Sequence, residues 1–217
     1  MMADSSSGSS LADTEFVVHS IAQTAVDNER EFGDLDAVVG DGDFGYSLAR
    51  GFEIVLAEWN EFDRSNPAIF IQKVAMVIAG RVGGTSGPLW GTAFLRASGA
   101  ARGHDELTGG DVVAMLRAAA EGIKARGNSD LGDKTLLDSL IPATDALEAE
   151  VAAGTDAAAS VARMAEVART SADATTSMLA KRGRASYTGE RSIGSPDPGA
   201  VAVAVMLERL RDEWAAR

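Results

Sequence analysis

The chain has no cysteine, which excludes disulfides, thiol nucleophiles and thiolate metal sites together and is compatible with the cytosol. Its two histidines, His19 and His104, are not spaced as a metal-ligand pair, so both read as structural. Basic residues are in deficit. Twenty Lys and Arg against 32 Asp and Glu leave a net charge of −12, which argues against nucleic acid as a partner, because that affinity comes largely from neutralising phosphates. No apolar run is long enough to span a bilayer, and the start has no apolar stretch of signal-peptide length. No Pro-, Gly- or Ser-rich linker divides the middle. The 217 residues, 46% of them hydrophobic, therefore suit one compact domain with a sizeable core. The low-complexity stretch from Ser5 to Ser10 reads as part of a disordered leader over residues 1–12, with a single domain over 13–217.

Helical periodicity runs through most of the chain beyond that leader. A stripe through Val17, Ile21 and Ala25 predicts a helix from Thr14 to Glu31 with Asp13 as N-cap. Leu48, Phe52, Val55, Leu56 and Trp59 predict another from Ser47 to Phe62. Asn66-Pro67 reads as a cap followed by proline at the first helical position, and Pro88 and Pro198 read as helix openings in the same way. Gly127 is placed as a C-cap after the stripe from Val112 to Ile123. Lys134 reads as the start of a helix that contains Pro142, and an Ala-rich helix succeeds Gly154-Thr155-Asp156. About eight helical segments and no alternating strand make the class all-α, with short connections favouring antiparallel neighbours. Periodicity alone leaves a bundle, an orthogonal array and a closed barrel open.

The chemistry lies in the loops. Asp36-Ala-Val-Val-Gly-Asp-Gly-Asp-Phe-Gly-Tyr-Ser47 sets three carboxylates among three glycines. A tight turn at Gly42 can aim Asp41 and Asp43 at one point, and Asp36 can reach it from the preceding helix. Three hard oxygen donors suit magnesium, which fills its other positions with water and substrate phosphates. An isolated Asp-Gly-Asp is more often a solvated turn. An EF-hand is excluded, because the positions counted from Asp41 that should carry an oxygen donor, a glycine and a glutamate hold Gly45, Tyr46 and Phe52. Gly83-Gly-Thr-Ser-Gly-Pro-Leu-Trp-Gly91 pairs flexible glycines with the Thr85 and Ser86 hydroxyls before a helix start, a pattern that suits a phosphate. The long stretch from Gly183 to Gly199 is rich in donors, and Arg184 and Arg191 are candidates for phosphate oxygens.

Taken together, four segments resemble one family, the nucleotide-binding L subunits and L domains of dihydroxyacetone kinases. They are Val39-Gly-Asp-Gly-Asp-Phe-Gly45, Gly83 to Thr92, Gly132-Asp-Lys-Thr-Leu-Leu-Asp138, and Gly183 to Gly194 with Asp197-Pro-Gly199. The resemblance implies a closed barrel of eight antiparallel helices with ADP or ATP at one end and two magnesium ions held by Asp36, Asp41 and Asp43. It places nucleotide contacts on Phe44, Gly45, Tyr46 and Ser47, on Thr85 and Ser86 for phosphates, on Gly127 and Leu136 near the base, and on Arg184, Asp197, Pro198 and Gly199. The family usually carries histidine where this chain has Phe44.

No side chain is required as a nucleophile, since phosphoryl transfer depends on charge neutralisation and in-line positioning. The resemblance further implies a separate K-type subunit that holds the ketose covalently through a histidine, since the chain ends soon after its last helix. Also within the resemblance are a form in which ADP stays bound and is recharged by a phosphotransferase-system protein, a non-catalytic regulatory module, and a fatty-acid kinase part. A homo-oligomer is compatible with all of them. A membrane partner is not expected.

Overall fold

The computed structural model describes residues 7–217. The first half of the expected leader, residues 1–6, lies outside the described residues, and the first helix already begins at Ser7, so Asp13 lies inside it and caps nothing. Among the described residues there are nine α-helices, three short 3-10 segments and no strand. The helices are α1 (Ser7–Asp27), α2 (Glu29–Ala37), α3 (Phe44–Ala57), α4 (Pro67–Arg81), α5 (Ser86–Ala100), α6 (Gly109–Gly127), α7 (Leu137–Ala153), α8 (Ala157–Ala174) and α9 (Pro198–Ala215).

Their contacts close a ring. α1 packs on α3, and each helix from α3 to α9 packs on the next; α9 returns to α1. Eight helices thus form the barrel, and the short α2 is laid against α3 and α9. The interior is filled by the predicted stripes, with Leu48, Phe52 and Val55 of α3 beside Phe70, Val74 and Ile78 of α4 and Ile123 of α6, all at most 1% exposed. Each such side chain contributes about 1.5–3 kcal/mol of burial free energy. A second cluster, including Ala143, Leu147, Met164, Ala168 and Ala204, joins α7, α8 and α9. Small residues let these helices approach closely.

Local signals account for several boundaries. Asn66 accepts from the Ile69 N–H at 3.0 Å, with Pro67 at the first helical position. Thr108 and Asp111 form a reciprocal capping box at α6, with His104 Nδ1 3.2 Å from the Asp111 carboxylate. Other boundaries depart from expectation. The helix predicted over Thr14–Glu31 breaks at Asn28, which leaves the helical region at φ −104° and ψ 17° while its backbone N–H at 3.1 Å and its side-chain amide at 2.8 Å share the Thr24 carbonyl. The break produces α2, which ends one residue beyond Asp36. α6 continues through Gly127, and Asn128 adopts the left-handed conformation at φ 46° instead. α5 opens at Ser86, leaving Pro88 as its third residue, where a missing N–H costs no helical bond.

Candidate functional site

Four connections meet at one end of the ring around a cavity of about 530 Å³, within the size range usual for small-molecule sites. They are residues 38–43, 82–85, 128–136 and 175–197. α3, α5, α7 and α9 begin at this end while α4, α6 and α8 finish there, so successive neighbours run antiparallel.

The first connection holds the acidic cluster. Carboxylate oxygens of Asp36, Asp41 and Asp43 lie within 4.8 Å of one another. Gly42 makes the turn between the latter two at φ 75°. Gly40 has a different role: a Cβ there would fall 2.2 Å from Asp36 Oδ1, so the missing side chain is what lets the Asp36 carboxylate into the site. Asp36 also accepts from the Phe44 N–H at 3.4 Å. Burial and then the Asp41 carboxylate push the Asp43 carboxyl above its ordinary range, with Asp36 adding to the shift and Arg184 opposing it. Arg184 donates to the Asp41 carboxylate, and its other amino nitrogen is 3.5 Å from Asp43. Three like-charged hard oxygens in a cradle kept open by glycine fit a magnesium site.

On the second connection, Gly84, Thr85 and Ser86 line the same cavity. The Thr85 hydroxyl forms no capping bond to α5, which leaves it, with the first-turn N–H groups, able to meet an anion. The third and fourth connections supply the other wall. Leu89, Gly127 and Leu136 give an apolar surface, next to Pro198 and Gly199. A Cβ on Gly127 would lie 3.2 Å from Leu89 Cδ2, and one on Gly199 the same distance from the Leu136 Cβ. One wall thus suits phosphates and metal, the other a flat ring.

The structure brings most of the expected residues together. Asp36, Asp41, Asp43, Phe44, Thr85 and Ser86 share the cavity with Gly127, Leu136, Arg184, Asp197, Pro198 and Gly199. Gly45, Tyr46 and Ser47 do not line it. Gly45 faces α2, where a Cβ would sit 1.9 Å from the Glu29 carbonyl oxygen. Tyr46 is exposed with Arg50 stacked over its ring at 5.2 Å, and Ser47 is buried behind Gly83. Arg191 does not line it either. Lys134, expected to start a helix, instead occupies a turn three residues before α7 and lines the cavity. Asp138, not singled out from the sequence, builds that turn by accepting from the Gly132 N–H at 2.5 Å and the Thr135 N–H at 2.7 Å.

Asp197 caps α9 by accepting from the Ala200 N–H at 2.8 Å. Burial raises its carboxyl from 3.8 to about 7, against the pull of the Ala200 N–H, with the Asp138 carboxylate adding to the rise and Lys134 opposing it. The folded state therefore binds this proton more tightly than the unfolded chain. Its contribution to stability is full below about pH 3.8 and is lost as the pH rises through about 7. Asp197→Asn keeps a capping acceptor but not the titration. The wild-type minus variant difference in Tm is expected to fall across that window and level off above it. A flat difference would show a carboxyl that is ionised throughout.

The DAK2 domain pattern matches residues 38–212. This chain belongs to the DAK2 domain family. Among its relatives, the chain is 37% identical over 182 residues to the PEP-dependent dihydroxyacetone kinase ADP-binding subunit DhaL of Escherichia coli, covering 81% of this chain and 84% of that protein. Like that relative it is a DhaL-type subunit. It is also 37% identical over 203 residues to the L-erythrulose 1-kinase of Mycolicibacterium smegmatis, of which it spans 34%. The native crystal structure of the C. freundii dihydroxyacetone kinase superposes with a TM-score of 0.73 at 25% identity, covering 93% of this chain and 34% of that one. The structure of that kinase with AMP-PNP and Mg2+, at 24% identity and a TM-score of 0.74, shares the fold. The all-α barrel and the family implied by the four motifs are both met. Among the described residues, no helix is long and apolar enough to cross a membrane.

Proposed function

We propose that this chain is the nucleotide-binding subunit of a kinase for dihydroxyacetone or a related short ketose, and that a separate K-type subunit presents the ketose. The observation that carries this reading is the convergence of the Asp36, Asp41 and Asp43 carboxylates with the Thr85–Ser86 helix start on one cavity. In this reading the three aspartates would hold two magnesium ions, Thr85 and Ser86 would meet the phosphates, and Leu89 and Leu136 would cover the base. Bound magnesium would supply charge neutralisation for the transferring phosphoryl group. Arg184, on the opposite loop, adds a guanidinium that matches phosphate oxygens. The relatives support the assignment: one is named an ADP-binding subunit, and others are erythrulose kinases.

A second reading of the phosphoryl donor is favoured by the names of the full-span relatives, which are PEP- or PTS-dependent. In that reading ADP stays bound and is rephosphorylated by a phosphotransferase-system protein. Both readings require the same metal-dependent nucleotide site. Calorimetric titration with ADP and magnesium is expected to show saturable binding that disappears when EDTA removes the metal. No binding, or binding indifferent to EDTA, would contradict the reading.

Phe44 lines the cavity where the family usually has histidine. Its ring packs on Phe32 at 6.1 Å, while its backbone N–H serves Asp36. The backbone contact survives any side chain. Phe44→His is therefore expected to change the affinity for MgADP by no more than about threefold, roughly the cost of one weak aromatic contact. A larger loss in the same titration would show that the chain has rebuilt its site around the apolar ring.

A further inference from the structure

Lys134 is unusual for a residue between two helices. It is only 2% exposed, and its backbone sits at φ 60°, a left-handed conformation that side chains disfavour. Its ammonium donates to the carbonyl oxygens of Ser192 at 2.5 Å, Ser195 at 2.7 Å and Met178 at 3.2 Å. An ammonium has three N–H donors and accepts nothing. All three are committed to backbone carbonyls, so Lys134 borders the cavity with no proton left for a phosphate.

Those carbonyls bracket the segment 178–195. It carries Arg184 to the Asp41 and Asp43 carboxylates, and it leads within two residues to Asp197. The segment contains glycines at positive φ at 183, 189 and 194, joints that impose little direction of their own. Asp133 ties its near side to the α6–α7 connection through Arg182 at 3.2 Å and the Lys181 N–H. Lys134 ties its far side, at Ser192 and Ser195.

We propose that Lys134 is a positioning residue for the nucleotide: it fixes the segment 178–195, and acts on bound phosphates only through the Arg184 that the segment carries. This rests on the nucleotide-binding reading above. The test is calorimetric titration of MgADP into wild type, Lys134→Met, Arg184→Gln and the double variant. Methionine keeps the length of the stem and removes the donors. Each single change is expected to raise Kd by about tenfold or more, the scale set by outer supports of a binding group. The double variant should lie within about threefold of the weaker single, because two residues acting through one contact are not additive. Multiplying effects, or an unchanged Kd in Lys134→Met, would overturn the proposal.

Hydrogen exchange on the wild-type protein without nucleotide supplies a measurement independent of whether Lys134→Met folds. Amides of 178–197 that are protected together are expected; exchange at the rate of a free peptide would overturn the tether. Failure of wild type to bind MgADP would instead remove the nucleotide reading, while the exchange result still reads the tether by itself.

Discussion

Asp41→Asn and Asp43→Asn are each expected to weaken MgADP binding by about a hundredfold or more, because even the outer partners of metal ligands contribute roughly 10- to 100-fold and these two are proposed as the ligands themselves. Asparagine keeps the shape and one oxygen but removes the charge that a divalent cation needs. The fold should tolerate both changes. The side chains of Asp41 and Asp43 are 38% and 48% exposed, and each variant removes a carboxylate from a cluster in which burial and then like charges already raise the Asp43 carboxyl. The lost pairing with Arg184 is a surface contact of at most about 1 kcal/mol. Titration calorimetry beside a thermal melt separates the two effects. Wild-type affinity in both variants would remove the aspartates from the metal site; loss of affinity together with collapse of the melt would give them a structural role instead.

Much of the barrel is legible from the sequence because its helices bury regular stripes. Of the stripe read from Leu48 to Trp59, Leu48, Phe52 and Val55 are completely buried, while Leu56 and Trp59 pack half-buried against the same core. Caps with a local mechanism are equally readable, as at Asn66-Pro67 and Asp197-Pro198. Ring closure is not, because the packing of α9 on α1 joins residues at opposite ends of the chain and leaves no local trace. The break at Asn28 is hidden because the apolar spacing runs through it, whereas the change is confined to one residue that leaves the helical region and bonds the Thr24 carbonyl through its side-chain amide as well as its backbone.

The site shows the same division. The aspartate cluster is visible because it stands in order with three further motifs, which sets it apart from an ordinary Asp-Gly turn, and the structure brings all three carboxylates together. Gly45, Tyr46 and Ser47 do not line the cavity for a geometric reason: once α3 begins at Phe44, successive positions turn around the helix, Gly45 facing α2, Tyr46 solvent and Ser47 the interior. Lys134 misleads because Lys-Thr-Leu-Leu is an ordinary helical opening. Its real conformation depends on three carbonyls that lie 44 to 61 residues further along the chain. The signal present in the sequence is Gly132, which takes φ 88° and marks a turn ahead of the helix.

The largest effect should come from the missing half of the reaction. In the proposed reading the residues at this cavity address phosphates, metal and a base, and neither histidine of the chain lies on it. An acceptor hydroxyl must be held in line with the terminal phosphate, and such positioning can account for roughly 7–11 kcal/mol of a barrier. The decisive measurement is a coupled assay of phosphorylated ketose, run with magnesium, ATP and dihydroxyacetone on the chain alone and again with a K-type subunit from the same genome. It is repeated with PEP and the phosphotransferase proteins in place of ATP. The account predicts no product above the blank from the chain alone, and saturable formation with the K-type subunit in one of the two donor systems. Saturable turnover by the chain alone, or silence with the K-type subunit under both donors, would contradict it.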